Sequence, residues 1–496
     1  LSTIFNLAVN RCQSIEDVII DDFPQFMDEI DQVKQLFDEY NAYKRRSNTV
    51  DYDDLLTLLH KLLAEVPTAK EEINRMYKYV LVDEYQDTNR LQHEIVMQLA
   101  GPEQNVMAVG DDAQSIYSFR GAEFENIMSF PDSFADCAIF KIEENYRSTQ
   151  PLLNLTNFII SNAAHKFEKE LFSRRTDGEL TKIVCSADEQ QQSLFVVQQA
   201  LQLREDGVPM DEIAVLFRSS FHSFDLEIEL NRANIPYKKF GGMRFIETAH
   251  IKDLLAFFKA ANNTTDAISW HRILTLADGV GERTATAIIN SIIENRGDFA
   301  SVSPGKRGGE KLGEMMEFMK RFAEPRNSIS EMATMLVEFY KPVLKNKYDD
   351  WQKRQKDLEA FIQIAERYKN ITTLLNDMAL DPPLDSVMEI DPESKEEEFL
   401  TLSTVHSAKG LEWKAVFIIW ALDGRFPSAK SVETVESIEE ERRLFYVAAT
   451  RAKEHLFISY PTNVFDRFEG CVLSKPSRFL DGVTEDIAEY FVLEED

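Results

Sequence analysis

Cysteine is scarce in this chain. Four residues, Cys12, Cys137, Cys185 and Cys471, are spread over 496 positions with no Cys-x-x-Cys pair. That spacing argues against a disulfide framework or a zinc ribbon and fits a reducing compartment, so a cytoplasmic protein is expected. Long apolar runs are missing as well. The longest, residues 415–422, falls far short of the roughly 18–20 residues of a membrane span, and no secretory signal is recognisable. Positive charge is in deficit: 55 Lys and Arg against 85 Asp and Glu leave a net charge of −30. This balance argues against coating nucleic acid or anionic membrane by bulk charge, but is compatible with a local basic groove. Two further absences stand out. Position 1 is Leu1, not Met, and no stretch reads Gly-x-x-x-x-Gly-Lys-Ser/Thr, the loop that cradles phosphates.

What is present is enough for a large folded protein. The length predicts about three or four domains, and 44% hydrophobic residues exclude a disordered or collagen-like chain. Residues 1–40 read as acidic amphipathic helices, for example over 23–40. Short apolar runs at 79–82, 106–109, 138–140 and 213–217 then alternate with helical stretches, the pattern of a parallel sheet covered on both faces. Residues 247–384 are mostly helical by period. After an acidic, proline-containing stretch at 381–398, strand signals return at 399–403, 415–420 and 455–460. The simplest reading is an α/β domain followed by a second α/β domain that a helical insertion interrupts. No solenoid repeat is visible.

The strongest local signal is VLVDEYQD at 80–87. A buried strand ends in two adjacent acids, where both can reach the crevice at the carboxyl edge of a sheet. In a phosphate-handling site Asp83 would hold Mg²⁺ and Glu84 would position and deprotonate the attacking water. Taken alone, two acids after an apolar run are more simply an acidic loop. A second strand-to-loop unit follows, VMAVGDDAQSIYSFRG at 106–121. Gly110 permits a tight exit from the strand, and Gln114 can sense a phosphate oxygen or a water. Tyr117, Phe119 and Arg120 place aromatic faces beside a cation, as in sites that stack unpaired bases; core aromatics with a surface Arg are the plainer alternative.

Three more units follow. In EENYRST at 143–149, Tyr146 can stack on a purine while Arg147 grips phosphate. LTLSTVHSAKGLEW at 400–413 reads as strand, hydroxyl-rich loop and helix start. EEERRLFYVAATRAK at 439–453 presents Arg442, Arg443 and Arg451 on a helix, and Arg at a nucleotide cleft stabilises a transferring phosphoryl group.

Together DEYQD, GDDAQSIYSFRGA, NYRST, TVHSAKGLE and RRLFYVAATRA, in this order, resemble the UvrD/Rep/PcrA family of superfamily 1 DNA helicases over nearly the whole chain. The resemblance implies two RecA-like parallel-sheet α/β domains of the P-loop NTPase type with helical accessory insertions. It implies an ATP- and Mg²⁺-dependent 3′→5′ DNA helicase and translocase, acting in repair, replication or recombination on single strands and single-strand/duplex junctions. By resemblance, Asp83 is the Mg²⁺ acid, Glu84 the catalytic base and Gln114 the γ-phosphate sensor. Tyr146 would stack on adenine, Arg147 would reach the γ-phosphate, Glu412 would hold the ribose and Arg451 would be the second arginine finger. Phe119 stands where the family usually has Trp on the strand-stacking platform, with Tyr117 and Arg120 beside it. Thr404 and His406 match positions that touch the single strand.

In the helical insertion, LADGVGERTATAI at 276–288 looks like a helix-hairpin-helix with Gly279 and Gly281 in its turn. Two glycines let backbone amides approach a duplex phosphate; an ordinary helical turn is the bland alternative. GGMRFIE at 241–247 matches a family motif at the entry to the insertion and is given no catalytic role.

The phosphate loop and the adenine-sensing segment before it are the main departures from the family. Leu1 is expected to enter the family pattern inside its first accessory domain. The division is then 1–47, remainder of that helical domain; 48–140, C-terminal part of the first RecA-like domain; and 141–246, first segment of the second. Residues 247–384 form the helical insertion, and 385–496 the second RecA-like segment with a short tail, about 35 residues past the last strand at 455–460. That tail leaves little room for the nuclease domain of helicase-nuclease relatives. Two readings follow: an ATP-driven helicase lacking its N-terminus here, with little ATPase in the polypeptide as written, or an ATPase-dead DNA-binding or regulatory fragment.

The acidity is uneven. Residues 1–40 and 381–400 carry −7 each and 484–496 carry −6, so the other 423 residues, which hold every motif, carry only −10. DNA affinity is expected to come from a local track of Arg, Lys, backbone amides and aromatics.

Overall fold

The computed structural model describes residues 1–299, 309–379, 398–466 and 471–494. All but the last residue of the acidic stretch at 381–398 lies outside them. Backbone contacts divide the chain into two units. Unit 1 is Leu1–Gly178 with Pro427–Thr450 and Phe479–Val483; unit 2 is Glu179–Phe426 with Arg451–Arg478 and Thr484–Asp496.

Unit 1 opens with the helices Ser2–Asn10, Ile15–Asp22 and Ile30–Ser47. Ile4, Leu7, Ile15, Val18, Ile19 and Val33 meet in one apolar cluster, which leaves the acids outside. Ser14 and Asp51 each begin a helix with a capping box, satisfying amides that the first turn would leave unpaired. Strand β1 (Val80–Val82) pairs in parallel with β2 (Val106–Ala108), Val80 opposite Val106. The helix Arg90–Leu99 makes the crossover between them, and a capping box from Asn89 and Gln92 starts it. The run at 138–140, expected as a strand, is not one. It joins no ladder among the described residues, and Ile139 and Phe140 are 57% and 88% exposed. Apolar composition gave the expectation; a strand also needs a neighbour to take its backbone bonds.

Unit 2 is built on strands β3 (Thr181–Ser186), β4 (Ile213–Phe217), β5 (Tyr237–Phe240), β6 (Leu400–Thr404), β7 (Trp413–Ile418) and β8 (Ala452–Pro461), with a small hairpin of β9 (Val464–Asp466) and β10 (Cys471–Leu473), and with β11 (Ala488–Val492). Seven of these form one parallel sheet in the order β11-β3-β8-β7-β4-β6-β5. Central β4 is buried along its whole length, as a parallel strand covered on both faces must be. Residues 455–460 are therefore not the last strand. β11 lies in the acidic tail and forms an edge, pairing with β3. The Tyr490-Phe-Val492 run favours a strand, and an exposed edge tolerates the acids beside it.

The insertion is helical, from Ala249–Asn262 to Ile371–Ala379, with no strand among its described residues. Its core gathers Phe257, Phe258, Trp270, Phe322 and Phe361, each at most 0% exposed. Phe318 and Phe339 stack at 4.0 Å between centroids.

Candidate nucleotide and DNA site

In unit 1, the chain leaves β1 into Asp83 and Glu84, both exposed. Glu84 has a left-handed backbone, φ 52°. A non-glycine residue rarely adopts this conformation, and such strain concentrates at functional sites. The turn is held from both sides. The Tyr85 N–H donates to Val109 O at 2.9 Å, and the Tyr85 ring is fully buried, its pKa pushed up to about 12 by burial. The Asp83 carboxylate accepts the Glu84 N–H at 2.9 Å.

Gln86, which the sequence reading passed over, ties this turn to the next loop. It is 0% exposed. Its Nε2 donates to Glu84 Oε2 at 2.5 Å, while its Oε1 accepts the Asp111 N–H at 3.0 Å. Its carbonyl accepts from Ser115 Oγ at 3.0 Å. Gln114 Nε2 in turn donates to Asp111 Oδ2 at 2.8 Å. Glu84, Gln86, Asp111 and Gln114 thus form one hydrogen-bonded relay, which brings the expected base and the expected sensor together. Gly110 is explained by the same contact. A Cβ there would lie 2.4 Å from Gln86 Oε1, so close approach, not backbone freedom, demands glycine.

Lys169 was also missed. Its Nζ pairs with Asp111 and lies 2.7 Å from Asp112 Oδ1. Burial opposes its charge, but the two carboxylates outweigh burial and hold its pKa above the ordinary lysine value. Arg443, on the helix Val435–Ala449, donates from Nε to Ser115 O at 2.8 Å and covers the Phe124 ring. Burial pulls its pKa down. No motif spacing marks these contacts, since they join residues 57 to 328 positions apart.

Phe119 is 52% exposed, and its ring lies 6.0 Å from that of Tyr117. The Arg120 guanidinium sits 5.3 Å from the Tyr117 centroid and 5.5 Å from that of Phe119. The three form one open aromatic-cation surface. Tyr146 is 78% exposed. Arg147 is half-buried, its N–H bound to Asn145 Oδ1 and its carbonyl to Arg175.

In unit 2, Thr404 ends β6 and caps the helix Val405–Ala408, and its hydroxyl donates to Ser407 Oγ at 3.0 Å. His406 beside it is half-buried. Gly241, φ 80°, packs so closely that a Cβ would lie 2.2 Å from Thr404 Oγ1. Glu412 is exposed and 3.2 Å from Lys453 Nζ. Arg451 is buried, with Nη1 3.3 Å from Leu411 O. Gly279, φ 85°, and Gly281 turn the chain between the helices Ala267–Leu274 and Glu282–Glu294. Both glycines are exposed, and a Cβ at Gly281 would meet no atom within 4 Å. The packing of the chain itself does not require glycine there.

Among the described residues no three His, Cys, Asp or Glu side chains gather into a metal-binding group, and no helix is long and apolar enough to cross a membrane. One exposed acid, Asp83, fits Mg²⁺, which keeps most of its waters and takes other oxygens from bound phosphates.

The family model of the UvrD/REP helicase N-terminal domain matches residues 11–135, and that of the UvrD-like helicase C-terminal domain matches residues 140–463. The ATP-dependent DNA helicase PcrA of Bacillus subtilis is 32% identical over 481 residues, covering 92% of this chain and 64% of the relative. The proteins of the same name from Staphylococcus aureus and Staphylococcus epidermidis are 30% and 31% identical, each over 91% of this chain. The chain spans about 64% of the length of these relatives. On the match to residues 140–463, with the N-terminal model beside it, this chain belongs to the UvrD-like helicase family.

Proposed function

We propose that the chain is the motor part of an ATP-dependent DNA helicase that moves 3′→5′ along single-stranded DNA and opens single-strand/duplex junctions. One observation carries this reading: the Glu84–Gln86–Asp111–Gln114 relay joins a candidate base to a candidate phosphate sensor. In it Glu84 orients and deprotonates the attacking water, and Gln114 reports on the γ-phosphate. Asp83 would hold Mg²⁺, which when bound neutralises phosphate charge. Tyr146 stacks on adenine and Arg147 binds the γ-phosphate. In unit 2, Glu412 is the proposed ribose contact and Arg451 the second arginine finger. Glu412 would have to exchange Lys453 for the ribose, and Arg451 would have to leave the Leu411 carbonyl.

The DNA side rests on exposed surfaces. Phe119, Tyr117 and Arg120 offer stacking faces and a cation; Thr404 and His406 would continue the track. Gly279 and Gly281 would contact duplex backbone, a reading favoured by the open space at Gly281. These 496 residues contain no phosphate-loop pattern, so the polypeptide by itself is expected to bind DNA with little ATP turnover. The second reading, an ATPase-dead DNA-binding protein, shares the DNA surface. Fluorescence anisotropy with a labelled dT oligonucleotide tests that surface. Phe119→Ala should weaken binding about 5–150-fold, the loss of one stacked base at ~1–3 kcal/mol. Unchanged affinity would rule out stacking at this position.

A further inference from the structure

We propose that Lys169 is a positioning residue. It fixes the Asp111 carboxylate that Gln114 bonds, and through the strap of residues 167–175 it ties this loop to the turn that carries Tyr146 and Arg147. The proposal deepens the nucleotide reading of unit 1 and rests on it for the roles of Gln114 and Arg147.

Asp111 and Asp112 are neighbours, and Asp112 is 3% exposed. Two carboxylates so placed need a cation, because a buried charge left unpaired is costly. The loop 110–116 contains no Lys or Arg. The cation comes from Lys169, 57 positions past Asp112. Its Nζ pairs with Asp111 and lies 2.7 Å from Asp112 Oδ1. The other Asp112 oxygen accepts the Phe167 N–H at 3.1 Å, so Asp112 meets the strap twice. Asp111 looks back into its own loop. Its Oδ1 accepts the Ala113 N–H at 3.0 Å, and its Oδ2 accepts from Gln114 Nε2 at 2.8 Å. With a neutral residue at 169, nothing from the strap would hold the carboxylate on which Gln114 rests.

The strap is fastened elsewhere as well. Phe167 packs against the cluster of Tyr85, Ile127 and Phe130. Asn157, on the helix Gln150–Ser161, clamps Leu171 from both sides. Its Oδ1 accepts the Leu171 N–H at 3.1 Å, and its Nδ2 donates to Leu171 O at 2.7 Å. The far end of the strap holds the second turn. The Phe172 N–H donates to Glu143 O at 3.0 Å, and Phe172 O accepts the Asn145 N–H at 2.7 Å. Asn145 Oδ1 accepts the Arg147 N–H at 2.8 Å, and Arg175 Nη1 donates to Arg147 O at 2.7 Å. From Gln114 to Arg147 every step is therefore a hydrogen bond, an ion pair or a short piece of chain. Two loops proposed to read one γ-phosphate are held at one spacing by residues that need not touch it, as supporting side chains hold a functional site.

Hydrogen–deuterium exchange of the full chain, read by mass spectrometry, tests the link without ATP turnover. Lys169→Met should speed exchange several-fold at both ends, in peptides spanning 111–116 and 143–149. Lys169→Arg should restore both, because a cation in the same place can still bridge the two acids. Faster exchange confined to 111–116, with 143–149 at the wild-type rate, overturns the proposal. Lys169→Met combined with Asp112→Asn removes the buried unpaired charge and serves where the single variant fails to fold. Its urea midpoint should return toward wild type while both peptides still exchange faster. Recovery of both peptides along with the midpoint would make Lys169 a counterion for Asp112 alone, and also overturns the proposal. The exchange result holds whatever the two loops bind, so a failed link and a failed nucleotide reading are told apart.

Discussion

Glu84 pays for its orientation with a left-handed backbone, and Gln86 is the side chain that holds it there. Gln86→Leu removes the amide and leaves the Asp111 N–H without its acceptor. The expected cost is about 1–3 kcal/mol of stability, the penalty for an unsatisfied buried group, read as a lower midpoint in urea unfolding. An unchanged midpoint would mean that the relay does not constrain the loop. At this scale the sequence was legible wherever chemistry is carried by adjacent residues. Asp83 and Glu84 stand out after an apolar run, and Phe119 and Arg120 stand out as an aromatic beside a cation. Lys169 was not legible, and Arg443 was legible only as an arginine on a helix, because their contacts join distant positions. A lysine in a polar stretch gives no sign that it lies between Asp111 and Asp112.

Elements repeat the lesson with backbone in place of side chains. The strand signal at 213–217 was readable because β4 is a continuous apolar run, and that at 399–403 because leucines alternate with β-branched or hydroxyl residues along β6. The apolar run at 138–140 misled, since composition cannot supply a pairing partner. β11 escaped notice because the acids on either side of it made residues 484–496 read as an acidic tail. The GGMRFIE junction is likewise held by contacts that spacing does not reveal. Lys239 at the end of β5 pairs with Glu227 at 2.7 Å, with side chains only 1% and 4% exposed. Glu227 also accepts the Phe245 N–H at 3.0 Å. Lys239→Met should therefore destabilise unit 2 by about 3–5 kcal/mol, because a buried carboxylate is left unpaired. Replacing both partners with apolar residues should restore much of that loss in denaturant unfolding. Gly241→Ala should shift Thr404, and oligonucleotide affinity should fall with it; equal affinity would separate Thr404 from the strand track.

For the whole molecule, charge and pH set the behaviour. A chain of net charge −30 that binds DNA must do so through a local track, so its affinity should fall steeply with salt. Flat salt dependence would contradict phosphate contacts altogether. Acid should destabilise the fold. Burial, followed by Arg425, Lys356 and Arg218, drives the His222 pKa well below the ordinary value of 6.5, and burial likewise lowers that of His93. Above about pH 6.5 both folded and unfolded rings are neutral, and stability is full. As pH falls through that value, the unfolded rings take up protons that the folded rings refuse. Urea midpoints should therefore decline from about pH 7 to pH 5, and His222→Gln should remove part of the decline.

The central claim is that this family member carries the proposed hydrolytic and DNA-contact residues on a polypeptide whose own sequence has no phosphate-loop pattern. Phosphate release from ATP by the 496-residue chain, with and without single-stranded DNA, tests it most directly. The account predicts release at the background rate, unchanged by DNA and by Glu84→Gln. Robust DNA-stimulated turnover that Glu84→Gln abolishes would contradict it, and would mean that other residues of this chain cradle the phosphates.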